Sequence, residues 1–420
     1  MTSSTHAQLL KRYAEIIVKV GLNLRKGQLL LIHNSRTRGV LAQAAPLVHE
    51  VTRAAYSAGA AYVDVIWGDE EMIRIRLQSA AQSSLAEYST WHISALVDLI
   101  AQGGALLTIV GENPGLLGDL DPLRVSIWQK SHLKNFRPVG QAVANDTINW
   151  CLVAAAGPDW ARKVFPKISG GEAEKKLWAD IFAFTYADRS DPIRAWKTHA
   201  RDLNAYRKYL ATKQYAMLHY KAPGTDLQVG LPKGHRWITA QSPAANGITF
   251  IPNLPTEEIF TLPDRSRIEG TVKASLPLSY SGTLIEDFSF RFEKGRVVKA
   301  VARRGEQQLR KLIATDPGAA RLGEVALVPA SSPIAKTGHL FYNTLFDENA
   351  ASHLALGRAY RFTLDHGPEM SDAEFEKHGG NNSLAHVDFM IGSDKMDIDG
   401  IRESGRVEPV MRKGEWAFKV

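Results

Sequence analysis

The residues able to do chemistry crowd toward the end of the chain. Glu324 stands in Gly323-Glu324-Val325-Ala326-Leu327-Val328, His353 in Ala351-Ser352-His353-Leu354-Ala355-Leu356-Gly357, then comes Tyr360, then His386-Val387-Asp388. Carboxylates, imidazoles and a phenol set among Gly, Ala and Ser suit one or two divalent cations held by mixed oxygen and nitrogen ligands. Asp347, Glu348 and Asn349 add polar groups just before His353. A carboxylate inside an apolar run is costly to bury alone, so Glu324 should meet a metal or an arginine such as Arg321. If His386-Val387-Asp388 is extended, imidazole and carboxylate address one spot, because side chains two apart share a face. A plain His–Asp hydrogen bond is the competing reading.

A third carboxylate comes from Asn253-Leu254-Pro255-Thr256-Glu257-Glu258-Ile259. Neighbours on an extended segment face opposite ways, so only one of Glu257 and Glu258 joins a given metal. The other is free to meet a positively charged substrate amine. The same residues also read as a helix start, with the glutamates answering the helix dipole. His353 alone reads equally as a satisfied core histidine. A tyrosine beside a metal, as Tyr360 would be, can donate to a developing oxyanion.

Other chemical signatures are missing. His49-Glu50 is followed by Arg53 where a zinc-protease helix needs histidine, and no phosphate-binding Gly motif or Gly-x-Ser-x-Gly elbow occurs. The single cysteine, Cys151, lies in Trp150-Cys151-Leu152-Val153-Ala154 and reads as a buried inert thiol. One cysteine excludes an intrachain disulfide and agrees with a reducing compartment, so a cytoplasmic protein is expected. The 51 basic and 44 acidic residues give a net charge of +7 but no long basic run, so nucleic acid is not the expected partner. No apolar run approaches a membrane span, and the first residues lack a signal-peptide pattern.

The elements that must position these groups follow from apolar periodicity. With 420 residues the chain needs more than one core. A helix capped by Ser4 or Thr5 is expected up to Gly21. Strands are expected at 29–32, 62–67, 105–110 and 147–153, and helices at 41–57, 90–102 and 121–136. That alternation predicts an α/β domain with a mostly parallel sheet covered by helices on both faces. Further helices at 161–210 close it, giving a first domain at 1–213. Residues 214–420 read as an α+β, strand-rich metal-binding domain. It has strands at 218–220 and 227–229, a 288–301 hairpin turning at Glu293-Lys294-Gly295-Arg296, a helix at 306–314, and strands at 322–329 and 385–391.

Several of these runs resemble the thermophilic metalloaminopeptidases of the aminopeptidase T and aminopeptidase II type. They are Asn253–Glu258, Ile268-Glu269-Gly270-Thr271-Val272, Leu322–Ala326, Asn343–Gly357 and His386–Asp388, and the resemblance runs nearly end to end. It implies metal ligands at Glu258, Glu324, His353, His386 and Asp388, with Glu258 preferred to Glu257 by its spacing to Glu324. It also implies a catalytic Tyr360, and a homodimer in which the N-terminal domains wall an enclosed site. The segment around His378-Gly379-Gly380 is slightly longer than the family pattern.

The expected function is therefore removal of N-terminal residues from peptides with a free amino terminus. Two divalent ions would share Glu324 and activate a water, with Glu257 reading the amine and Tyr360 the oxyanion. Mixed ligands of this kind accept Zn, Co, Mn or Mg. The rivals are a two-metal amidohydrolase or phosphoesterase with the same ligands, and a small-ligand-binding protein with a structural metal. Structural zinc sites usually close with four ligands, often cysteines, which weighs against the last.

Overall fold

A computed structural model describes residues 3–280 and 282–420. The chain forms two compact units, one of residues 1–198 with 241–255, the other of 199–240 with 256–420. The long helix Pro192–Lys213 runs through the point of division.

In the first unit four parallel strands lie in the spatial order Tyr62–Val65, Leu29–His33, Ala105–Val110, Trp150–Ala154. The Leu29–His33 and Ala105–Val110 strands are almost wholly buried, and this is why their sequences are continuous apolar runs without alternation. Leu31 and Leu106 pack with Ile93, Leu96 and Leu99 of the helix Trp91–Ala101 and with Val139 of Pro122–Ala144. The Tyr13 hydroxyl donates to the Ala154 carbonyl at 3.1 Å and accepts from the Ala154 amide at 3.2 Å, tying the first helix to the end of a strand. Cys151 is fully buried, and burial pushes its thiol up and keeps it unreactive.

Local differences from the sequence reading have physical causes. The first helix already contains Ser3, so Ser4 and Thr5 lie within its span instead of preceding it. A helix at Glu70–Ser79 went unread because its apolar face is narrow, although Asp69 caps it by accepting the Glu71 amide at 2.9 Å. The strand at 147–153 starts only at Trp150, since the buried Asn149 spends its side chain on the Leu22 carbonyl and Gln28.

The second unit contains two antiparallel sheets. One has nine strands and includes Met217–Ala222, Thr225–Gly230, Ile268–Lys273 and the hairpin Thr283–Glu293 with Arg296–Arg304. Phe288, Phe290 and Phe292 of the hairpin all point to the core, as strict alternation requires. The other sheet orders Ile259–Thr261, Leu322–Leu327, His353–Gly357 and His386–Met390. Phe389 of this smaller sheet meets Phe288 at 6.0 Å and Phe290 at 5.1 Å between ring centroids. That contact buries one face of the small sheet against the aromatic row. The opposite face carries the polar residues singled out above.

Candidate metal centre

Register explains why four of those residues meet. Glu324 pairs with Ala355, and Ala355 pairs with Asp388, so the three form one row across the sheet. His353 lies two residues from Ala355, and His386 two from Asp388, which puts both imidazoles on the same face. The alanine methyl between the two carboxylates leaves room that a larger side chain would fill. A bulge between Leu322 and Glu324 adjusts this alignment. Gly323 at the bulge and Gly357 opposite permit close strand approach: a Cβ on Gly323 would sit 2.3 Å from the Gly357 carbonyl oxygen.

Glu258 enters from the residue preceding the Ile259–Thr261 strand, and no helix forms there, so the helix-start reading of Thr256-Glu257-Glu258 is corrected. The buried Asn349 fixes this segment by accepting the Glu257 amide at 2.7 Å. Thr239 donates its hydroxyl to the Glu258 carbonyl at 2.7 Å. The Glu258 carboxylate then lies 3.2 Å from His353 Nε2. Glu324 turns Oε1 toward His353 Nε2 at 3.5 Å and Oε2 toward His386 Nε2 at 3.8 Å. Asp388 Oδ1 stands 3.4 Å from His386 Nε2 and is buried without a hydrogen bond.

The result is two groups with metal-ligand spacing, Glu258–Glu324–His353 and Glu324–His386–Asp388, whose donor atoms within each group lie within 4.8 Å of one another. Both imidazoles are oriented by carbonyls behind them: His353 Nδ1 is 3.1 Å from the Ala351 oxygen and His386 Nδ1 is 2.7 Å from the Arg358 oxygen. A carbonyl only accepts, so Nδ1 carries a proton and Nε2 is the nitrogen that faces the carboxylate cluster, where a cation would displace its proton and take its place.

The electrostatics favour a cation. Burial raises the Glu324 carboxyl, and Asp388 and Glu258 raise it further against His353 and His386. Burial would lower His353, but Glu258 and Glu324 outweigh it and hold the imidazole well above its ordinary value. His386, likewise lowered by burial, is lifted to about 9 by Asp388 and Glu324. Burial would raise Asp388, yet His386 and His353 hold it below the usual carboxylate range. Among the described residues no lysine or arginine lies within 4.0 Å of Glu258, Glu324 or Asp388. The expected alternative partner, Arg321, donates instead to the carbonyls of Arg265 and Lys294. Crowded buried carboxylates, two imidazoles turned toward them by Nε2 and no lysine or arginine among them fit divalent cations.

Tyr360 sets its ring 4.9 Å from that of His386 and stacks on Phe362 at 5.3 Å. Burial, then Glu324 and Asp388, push its phenol up, so it stays a hydrogen-bond donor. Glu257 joins neither group; its carboxylate lies 3.7 Å from His199 Nε2. Sequence reasoning noticed Glu348 only as part of a polar run. Burial and then Glu258 and Asp388 raise its carboxyl well above normal, so it belongs to the same electrostatic cluster. Its neighbour Asp347 is structural: it accepts the amides of Phe341 at 2.7 Å and Asn343 at 3.0 Å, and burial lifts it to about 7. Spacing from His353 was the only signal available for Glu348.

A sheet face presenting clustered carboxylates, aimed imidazoles and a protonated phenol has the groups a metal-dependent hydrolase needs. The profile of the family described as thermophilic metalloprotease (M29) matches residues 6–416. Aminopeptidase T of Thermus thermophilus is 45% identical over 97% of this chain and 98% of its own. Aminopeptidase AmpS of Bacillus subtilis is 42% identical over 98% and 99% respectively. The solved structure of wild-type AmpT from Thermus thermophilus superposes with a TM-score of 0.91 at 44% identity, covering 98% of this chain and 99% of that one. The chain belongs to the M29 metalloprotease family and is a metallo-aminopeptidase, a hydrolase acting on peptides. Among the described residues no helix is long and apolar enough to cross a membrane.

Proposed function

We propose that the enzyme removes single N-terminal residues using two divalent ions that share Glu324. The observation that carries this reading is the division of Glu324, one oxygen toward His353 and the other toward His386. Glu258 and His353 would hold one ion, His386 and Asp388 the other. When bound, the ions would lower the pKa of a water and polarise the scissile carbonyl. The chain's own groups do the rest. Glu257, beside His199, receives the substrate ammonium and so limits cleavage to the chain end. Tyr360 donates its phenol hydrogen to the oxyanion formed when water adds to the first carbonyl. Glu348 lies outside both ligand groups but within the same cluster of carboxylates; ionised once cations offset its neighbours' charge, it would take the water's proton and return it to the amine nitrogen as the C–N bond breaks.

Within this reading residues 214–420 form the catalytic domain and 1–213 the α/β domain, in which helices clothe both faces of the parallel sheet. The family resemblance supports a homodimer, and the lone cysteine supports a cytoplasmic setting. Zn, Co, Mn and Mg all suit the ligand set. The test is hydrolysis of leucyl-p-nitroanilide by chelated protein during stepwise return of each metal, with p-nitrophenyl phosphate in parallel. Activity should saturate at two ions per chain and be confined to the anilide. Full activity at one ion, or in none, would overturn the reading.

A further inference from the structure

A cavity of ≈ 440 Å³ in the second unit is lined by five cationic side chains, Lys233, Arg265, Arg267, Arg321 and Lys377. None of them belongs to either metal-ligand group. Two carboxylates share the lining, and both are already taken. Asp264 accepts from Arg267 Nε at 2.8 Å, and Glu376 pairs with Arg265. Arg321 directs its Nη1 to main-chain oxygens, 2.7 Å to Arg265 and 3.3 Å to Lys294. Among the described residues no carboxylate lies within 4.0 Å of Lys233, Arg321 or Lys377.

Arg265 and Arg267 meet acids directly, as Arg74 and Arg303 do elsewhere, whereas Lys233, Arg321 and Lys377 around the same concavity do not. Here cations gather around a concavity with their local acids consumed. Burial lowers Arg321, and the like charges of Arg265 and Arg296 lower it further. Holding such a group charged beside its neighbours is unfavourable until an anion enters. Guanidinium and ammonium donors on several sides of a small concavity match the tetrahedral oxygens of a phosphoryl group, which accepts from each and carries the compensating charge.

We propose that this cavity binds a phosphate-type dianion, either inorganic phosphate or the phosphoryl group of a small metabolite. The test is calorimetric titration of the metal-loaded full-length protein at constant ionic strength, with inorganic phosphate in one arm and glycerol 2-phosphate in the other. Lys233→Gln/Lys377→Gln is the principal variant, because both side chains are exposed and the fold does not lean on them. Arg321→Gln is the second. Removing charge-assisted contacts should weaken binding by about tenfold or more in either variant. Glu324→Gln, which alters the metal centre, should leave this binding unchanged. Preference for glycerol 2-phosphate would identify an organic phosphate as the occupant, and preference for inorganic phosphate the free ion. The proposal is overturned if the wild type shows no saturable binding. It is equally overturned if the double lysine variant binds like wild type, or if only Glu324→Gln weakens binding, since phosphate would then sit on the metals.

Discussion

The sharing of Glu324 between two ligand groups makes a quantitative prediction about stability. An ion that binds only the folded chain stabilises it by about 2.7 kcal/mol when present at about a hundredfold excess over its Kd. Two ions of that affinity together contribute about 5 kcal/mol. Glu258 belongs to one group, Asp388 to the other and Glu324 to both. Glu258→Gln and Asp388→Asn should therefore each retain one increment, and Glu324→Gln neither. For a unit of about 200 residues, one increment corresponds to roughly 5–10 °C in Tm. The chelated proteins should rank differently. Because the Glu324 carboxyl is raised in the fold, its ionised form is less favoured there than in the unfolded chain. Its contribution is thus lost as pH rises above the ordinary carboxylate range, and Glu324→Gln should be no less stable than wild type when both are metal-free. The assay is thermal denaturation of the four proteins with chelator and with excess metal, alongside elemental analysis of bound ions. If Glu324→Gln keeps the same metal-induced shift as Glu258→Gln, the shared-carboxylate geometry is refuted.

Three further outcomes are expected. Tyr360→Phe should lower kcat for leucyl-p-nitroanilide by about 10²–10³-fold with KM and bound metal unchanged, and full activity would remove Tyr360 from the chemistry. Gly357→Ala should destabilise the fold by about 1–3 kcal/mol, because φ is 105° there and the added Cβ would sit 2.1 Å from the Ala385 oxygen; an unchanged urea midpoint contradicts this. His33, lowered to about 4 by burial and His92, and His132, lowered to about 4 by burial and Arg38, are neutral in the fold. Their folded values lie below the ordinary 6.5, so their stabilisation is full above that pH and lost as pH falls toward 4, by about 3 kcal/mol each. Urea titrations of chelated protein across this range should show the loss, and His132→Phe, which keeps the stacked ring, should flatten it.

Much of the site was legible because it rests on short-range periodicity. Residues two apart on a strand share a face, so His386 and Asp388 could be paired from the sequence, and an acid in the apolar run after Gly323 had to find a cation. The buried parallel strands were legible for the same reason, as unbroken apolar runs bounded by turns. The Glu70–Ser79 helix was not, because its apolar face is too narrow to announce itself.

Composition and local spacing therefore determined the inventory: which side chains could bind metal, and which of them share a strand. Only the tertiary structure decided the rest. It aligned Glu324 with Ala355 and Asp388, turned one Glu324 oxygen toward each histidine, directed Arg321 away to main-chain carbonyls and drew Glu348 into the cluster. The reason is physical. Facing along one strand follows from backbone geometry alone. Lateral register depends on hydrogen bonds to strands distant in sequence, on a bulge at Gly323, and on buried carbonyls that choose which imidazole nitrogen keeps its proton.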